Sequence, residues 1–278
     1  MSETNKGFLE TLKEVSDGKL VICFAGVGSA FAKKNAQTSM IVAKNGKTIL
    51  VDCGTTIPTE LSRKGINIWD FDYYHFTHSH ADHVGGAEEI MLMHRYVAKR
   101  KPKVIITQPY YKILWDDSLR GGCENNEDGL LKFCDLVEPV QPSWMQEEPR
   151  EIYKINVDGI ELVIFRTAHI PGGVEIWEKA FWSTGLMVDG KVLYSGDTRF
   201  DGSLFEHLPV KNVSAIFHDC QLFSPGIVHA DYESLKILDP SIKAKMRLVH
   251  YGDNFEQFKP ENDGFAGFAK AWEFYVVG

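Results

Sequence analysis

The run His78-Ser-His80-Ala-Asp82-His83 sets four metal-capable side chains within six residues, directly after the β-rich stretch Tyr73-Tyr74-His75-Phe76-Thr77. Imidazole nitrogens suit zinc and other borderline divalent ions, and the carboxylate adds a hard, negatively charged donor. Side chains alternate along extended backbone, so residues 78 to 80 in that conformation place His78 and His80 on one side, able to grip one ion. Asp82 and His83 then turn toward a second ion. Gly85 and Gly86 follow, and their backbone freedom predicts a sharp turn from strand to helix.

Three further candidates lie downstream: His169 in Phe165-Arg-Thr-Ala-His-Ile, Asp197 in Tyr194-Ser-Gly-Asp-Thr-Arg199, and His250 in Leu248-Val-His-Tyr251. Each follows a short β-like run and so belongs at a strand end. Taken singly, His169 and His250 read as ordinary strand-end histidines. Together with the H-x-H-x-D-H run they resemble the metallo-β-lactamase superfamily, and the resemblance extends from about Lys19 to the end of the chain. It implies an α/β fold, the αββα sandwich of that superfamily, and two divalent ions, zinc in the first place with manganese or iron as alternatives. By the same resemblance His78, His80 and His169 hold one ion, Asp82, His83 and His250 the other, and Asp197 bridges them. Such a set leaves coordination positions open to water, as a catalytic site requires and a structural site does not. Two ions lower the pKa of that water and clamp the oxygens of an in-line displacement.

The rest of the chain reads as a single domain over residues 1 to 278, since no composition break or low-complexity linker divides it. A formal charge of −8 argues against broad polyanion binding, which needs a basic face. The densest basic run, Lys99-Arg100-Lys101-Pro-Lys103, follows a predicted helix, where cations suit the C-terminal dipole. Five cysteines, odd in number and without C-x-x-C spacing, suit a reducing cytoplasm. Cys53 and Cys220 read as small buried hydrophobes. Residues 1 to 18 carry no signal-type apolar core and no membrane-length run, and read as an arm or a short helix with Phe8, Leu9 and Leu12 on one face.

Periodicity and turn residues predict mixed α/β structure. Strands are expected at Leu20 to Phe24, Ser39 to Ala43, Thr48 to Val51, Val104 to Thr107, Glu151 to Asn156, Ile160 to Arg166, Phe181 to Val188, Lys191 to Ser195, Ala215 to His218 and Met246 to His250. The pairs Asn45-Gly46, Asp158-Gly159 and Asp189-Gly190 predict tight hairpin turns. Helices are expected at Pro58 to Lys64, at Ala87 to Arg100 with Ile90, Met91, His94 and Val97 on the inner face, and at Tyr232 to Leu238.

Three features resemble the phosphodiesterase branch that includes ribonuclease Z. Ser195-Gly-Asp197-Thr-Arg199 matches it closely. Ala25-Gly-Val-Gly-Ser-Ala30, followed by Asn35, resembles its glycine-rich opening loop and puts Ser29 and Asn35 among substrate contacts. Phe217-His-Asp219-Cys and Val228-His229-Ala-Asp-Tyr-Glu-Ser-Leu supply an acid and a histidine in the order the branch uses. The resemblance implies catalytic roles for Asp82, Asp219 and His229, with Asp219 orienting His229. His229 then touches the phosphate and protonates the departing oxygen. His75, His94, His207 and His218 take structural or solvent roles.

The interval between His169 and Asp197 is too short for the arm with which ribonuclease Z grips transfer RNA. The long interval lies instead between His83 and His169. It contains a variable insertion over about 108 to 150, including Arg120-Gly-Gly-Cys-Glu-Asn-Asn-Glu-Asp-Gly129, a candidate lid or an arm reaching a second subunit of a homodimer. A small phosphodiester substrate is therefore expected, foremost a 3′,5′-cyclic mononucleotide. Extended nucleic acid and membrane are not expected partners. In this the chain resembles compact cyclic-nucleotide phosphodiesterases, among them the anti-Pycsar family that degrades cyclic pyrimidine signals. The alternatives are an RNA 3′-end endonuclease of ribonuclease Z type and a lactonase or other carbonyl hydrolase; the latter leaves Asp219 and His229 unexplained. Trp115, Trp144, Trp177 and Trp182 are expected mainly to fill core rather than to stack on a base.

Overall fold

Three dipeptides show how the sequence shapes the sheets. Asn45-Gly46, Asp158-Gly159 and Asp189-Gly190 all take positive φ at both positions (51° and 74°, 49° and 83°, 51° and 64°). That is the signature of a tight turn whose twist matches the strands it joins. These turns close three hairpins in a computed structural model that describes residues 7–174 and 176–278. Contacts divide the chain into two compact units: Met1–Gly26, Thr38–Gln141 and Ala271–Gly278 form the first, and Val27–Gln37 and Pro142–Lys270 the second.

The first unit holds a seven-stranded sheet, ordered Phe274–Val277, Leu20–Gly26, Ser39–Lys44, Lys47–Val51, Tyr73–His75, Lys103–Ile105 and Glu138–Val140. The pairings from Phe274–Val277 through Lys47–Val51 are antiparallel, and those from Lys47–Val51 onward are parallel. Every residue of Leu20–Gly26 is buried, as an unbroken apolar run covered on both faces requires. The second unit holds an eight-stranded sheet of the same character. Its antiparallel part runs through Ser143–Gln146, Ile152–Val157, Ile160–Arg166, Thr184–Val188 and Val192–Tyr194. From Val192–Tyr194 the sheet continues in parallel through Ala215–Asp219, Met246–Val249 and Gly267–Phe268. Parallel strands leave their carboxyl ends along one edge, the place where α/β sheets bind ligands.

Of the N-terminal arm, Phe8–Val15 is a helix with Leu12 buried, and Phe8 meets Trp272 and Phe274 edge-on at 5.1 Å; residues 1–6 lie outside the described residues. The helix expected to run from Ala87 to Arg100 is α-helical only over Ala87–Met93 and continues as a π-helical turn, His94–Ala98. Ile90, Met91 and His94 are buried as expected, but Val97 is 51% exposed. The wider turn rotates Val97 off the inner face, which corrects that expectation. Lys99 then turns left-handed, and Arg100 and Lys101 donate to the carbonyls of Trp69 and Cys134.

The segment from 108 to 150 is built from short helices, a small hairpin pairing Asn125–Asn126 with Gly129–Leu130, and one edge strand for each sheet, Glu138–Val140 and Ser143–Gln146. Its acidic tip is held by Arg95, which pairs with Glu127 and Asp128.

Candidate active site

In the first unit the histidine run leaves the carboxyl end of Tyr73–His75 and is organised by Asp52, a residue the sequence reading did not single out. Asp52 is fully buried and follows the strand Lys47–Val51 in the left-handed region at φ 61°. Its carboxylate accepts from the Thr77 backbone N–H at 2.7 Å, the Thr77 hydroxyl at 2.8 Å and His83 Nδ1 at 2.8 Å. With the Thr77 hydroxyl donated to Asp52, its oxygen takes the N–H of His78 Nδ1 at 3.1 Å. Both histidines are thereby fixed as tautomers with the proton on Nδ1 and a lone pair on Nε2, the form in which imidazole binds metal.

The extended backbone expected across residues 78 to 80 is present: His80 has φ −70° and ψ 147°. It brings His78 Nε2 within 3.0 Å of His80 Nδ1. In the helical turn Ala81–Val84 that follows, Asp82 Oδ2 lies 3.3 Å from His83 Nε2. His80 is exposed while His78, Asp82 and His83 are buried. The two glycines serve a purpose other than the one expected. Both have negative φ (−60° and −93°). What they supply is room: a Cβ on Gly85 would lie 2.3 Å from Thr55 Cγ2, and one on Gly86 2.6 Å from Cys53 Sγ. This close approach lets Cys53 exchange hydrogen bonds with the His83 carbonyl and the Gly86 N–H, each at 2.7 Å.

In the second unit His169, Asp197, Asp219 and His250 all stand at carboxyl ends of strands, and His229 follows on a loop. Asp197 Oδ2 lies 3.8 Å from His169 Nε2 and 3.5 Å from His250 Nε2. His169 donates Nδ1–H to the Val228 carbonyl at 2.7 Å, which turns its Nε2 lone pair to Asp197's side. Asp219, fully buried, accepts from His229 Nδ1 at 2.8 Å and the Thr198 N–H at 3.0 Å on one oxygen. Its other oxygen lies 3.4 Å from His250 Nδ1. The pairing of Asp219 with His229 is thus present, and Asp219 also orients His250, which sequence alone did not suggest. His250 is left-handed at φ 60°, a strained state for a non-glycine residue of the sort that collects at functional sites.

Burial alone pushes the His229 imidazole below its usual value, but the charge and hydrogen bond of Asp219 outweigh it and the net shift is upward. Asp219, despite the opposing effect of burial, is held below the ordinary carboxylate range chiefly by His229. Burial lowers His169 and favours its neutral, ligating form.

A cavity of about 270 Å³ opens beside this cluster, with Ser29, Phe31, Leu222, Phe223, His229 and His250 in its wall. Ser29, expected from the sequence as a substrate contact, lies in this wall. Asn35 is not part of the wall, and its Nδ2 is buried without a hydrogen-bond partner. Asn35 and Ala36 instead present their carbonyls 2.8 Å and 3.0 Å from where a Gly28 Cβ would lie, so the glycine-rich opening folds tightly on itself. The remaining histidines act structurally: Nδ1 of His75, His94 and His218 meets the carbonyls of Ile105, Ile90 and Asp219, and His207 ends a short helix. Trp115 and Trp177 are buried, Trp182 lies under the Arg166 guanidinium at 4.7 Å, and Trp144 is exposed on an edge strand.

The donor set suits divalent ions. It combines imidazoles whose Nδ1 edges are tied to carboxylate, hydroxyl or carbonyl with carboxylates brought up to the opposite nitrogen. Among the described residues no helix is long and apolar enough to cross a membrane.

Residues 20–275 match the family described as "Anti-Pycsar protein Apyc1". A protein of that name from Paenibacillus xerothermodurans is 36% identical over 240 residues, covering 86% of this chain and 90% of the relative. One from Bacillus phage vB_BsuM-Goe3 is 33% identical over 247 residues, with coverages of 85% and 91%. Among solved structures, the metallo-β-lactamase-fold protein YhfI of Bacillus subtilis superposes with a TM-score of 0.67 at 12% identity, covering 93% of this chain and 99% of that one. The short form of human tRNase Z gives 0.60 at 15% identity, with the same coverages. The fold is that of the metallo-β-lactamases.

Proposed function

The chain belongs to the anti-Pycsar Apyc1 family of metallo-β-lactamase-fold hydrolases, and on that premise we propose that it is a phosphodiesterase that opens a 3′,5′-cyclic mononucleotide. In this reading His78, His80 and His169 would hold one divalent ion and Asp82, His83 and His250 a second, with Asp197 contributing its carboxylate to the pair. The ions, zinc foremost, supply an activated water and neutralise charge on the phosphate.

The observation that carries the reading is the Asp219–His229 contact of 2.8 Å beside the cavity. Asp219 occupies Nδ1 and so directs Nε2 to the substrate. As the oxygen of water bonds to phosphorus and the bond to the departing ribose oxygen breaks, His229 Nε2 delivers the proton that oxygen needs. The cavity, at about 270 Å³, suits a mononucleotide better than a folded RNA. Identity to a phage protein supports a role in countering host defence that signals through cyclic nucleotides. A cytoplasmic homodimer completes the proposal, and light scattering on the purified protein tests the dimer.

The decisive experiment offers metal-loaded protein cyclic mononucleotides, a transfer-RNA precursor and a lactone in parallel. Turnover of the cyclic nucleotide well above the others is expected. Preference for the RNA or the lactone overturns the reading.

A further inference from the structure

Two of the most exposed apolar side chains in the second unit belong to the cavity wall. Phe31 is 87% and Phe223 is 68% exposed, and both line the cavity that holds His229 and His250. Ligand pockets are lined predominantly by apolar and aromatic side chains, and exposed apolar surface gathered at one cavity is a feature of ligand-binding grooves. Phe31 rides on the segment Ser29–Asn35, and that segment is tied to the chain beyond His250. Asp253 accepts the backbone N–H of Lys33 on both carboxylate oxygens, at 2.9 and 3.0 Å, and that of Lys34 at 2.9 Å. Ser29 N–H donates to the Tyr251 carbonyl at 3.1 Å.

Resting on the phosphodiesterase reading, we propose that Phe31 and Phe223 determine specificity by holding the flat heteroaromatic base of the substrate, and that Asp253 is the positioning residue that sets Phe31 over the cavity. Every base has a π-face, so the two rings select for the presence of a base and discriminate weakly among bases.

The test uses the full-length, metal-loaded protein with two substrates, a cyclic mononucleotide and the 3′,5′-cyclic phosphate of a ribose that lacks a base. On the nucleotide, Phe31→Ala and Phe223→Ala are each expected to raise KM on the order of tenfold with kcat nearly unchanged. On the abasic substrate neither variant should differ from wild type. Phe31→Tyr should restore the wild-type KM, whereas Phe31→Leu, apolar but without a ring, should not. Asp253→Ala should raise KM for the nucleotide as Phe31→Ala does, and the double variant should lose no more than either single one. Asp253→Asn, which still accepts from a backbone N–H, should recover much of the loss. Equal losses on both substrates, or additive losses in the double variant, overturn the proposal while leaving the phosphodiesterase reading intact. A wild-type protein that hydrolyses neither phosphodiester overturns both.

Discussion

Asp52 and His83 meet at 2.8 Å with both side chains sealed from solvent, and the contact fixes which nitrogen of His83 carries the proton. The partner that orients a ligating histidine matters nearly as much as the ligand itself. Asp52→Asn keeps the left-handed backbone tolerable, since asparagine visits that region readily, but it removes the charge and places an N–H₂ where three donors converge. Metal affinity is expected to fall about 10- to 100-fold, with a stability loss of about 1–3 kcal/mol from the unmet buried donors. Chelator competition and urea unfolding measure the two effects. Wild-type metal affinity in the variant would reduce Asp52 to a turn residue.

Gly196 sits in the Ser195-Gly-Asp197 turn at φ 57°, and a Cβ there would come 2.3 Å from the Thr184 carbonyl oxygen. Both the dihedral and the contact oppose a side chain, and a backbone carbonyl held in a sheet cannot swing aside. Gly196→Ala should therefore cost at least about 2 kcal/mol and displace Asp197. Thermal unfolding checks the first consequence and metal stoichiometry the second. By contrast Gly202, with only the Phe200 ring 4.0 Å from its would-be Cβ, should accept alanine with little change.

The contrast between Asp52 and His78 shows where sequence is legible. His78 to His83 announces itself because several metal-capable side chains crowd one short run, and the hairpins announce themselves because Asn-Gly and Asp-Gly occupy backbone angles few other pairs adopt. Asp52 is a lone acid after an ordinary strand, and its role comes from a contact with His83 across 31 residues of chain, which no local pattern records. Six strands of the described residues escaped the sequence, and three of them show the same limit. Glu138–Val140 and Ser143–Gln146 are short edge strands in a proline-bearing polar tract, and Phe274–Val277, though β-rich, owes its place to pairing with Leu20–Cys23 at the far end of the chain. The π-helical turn at His94 escaped for a different reason. Apolar spacing fixes which way a helix faces only while its turn stays constant, and here the turn widens.

Asp231 links the His229 loop to a helix and titrates with the fold. Burial by itself would raise its pKa, but hydrogen bonds from the Ser224 and Ser234 hydroxyls and from the Ser234 and Gly226 N–H groups prevail and hold it low. A carboxylate depressed in the folded state contributes stability above its unfolded pKa, near 3.9, and loses it as pH falls through the folded value. Asp231→Ala should lower stability by about 1–2 kcal/mol at neutral pH, and the gap from wild type should close on acidification below about pH 4. Urea titrations across that range read the gap directly. A gap that persists unchanged at pH 3 would mean that the carboxylate's ionisation contributes nothing.

His229 separates a positioned acid from a bystander. It has no part in the proposed ligand set, so His229→Ala should retain two ions per chain by elemental analysis. Removal of a positioned general acid costs on the order of 10²–10⁴ in rate when the departing alkoxide must otherwise take its proton from water. That demand depends on the leaving group. A cyclic nucleotide expels a ribose alkoxide, which is strongly basic, whereas a nitrophenyl phosphodiester expels a phenolate that departs without assistance. The variant should therefore lose most of its kcat on the nucleotide and far less on the activated ester. Asp219→Asn, which keeps a hydrogen bond but not the charge that steadies the imidazolium, should fall between wild type and His229→Ala on the nucleotide. Equal losses on both esters would make His229 a phosphate-binding group, and wild-type rates on both would leave it an ordinary loop histidine.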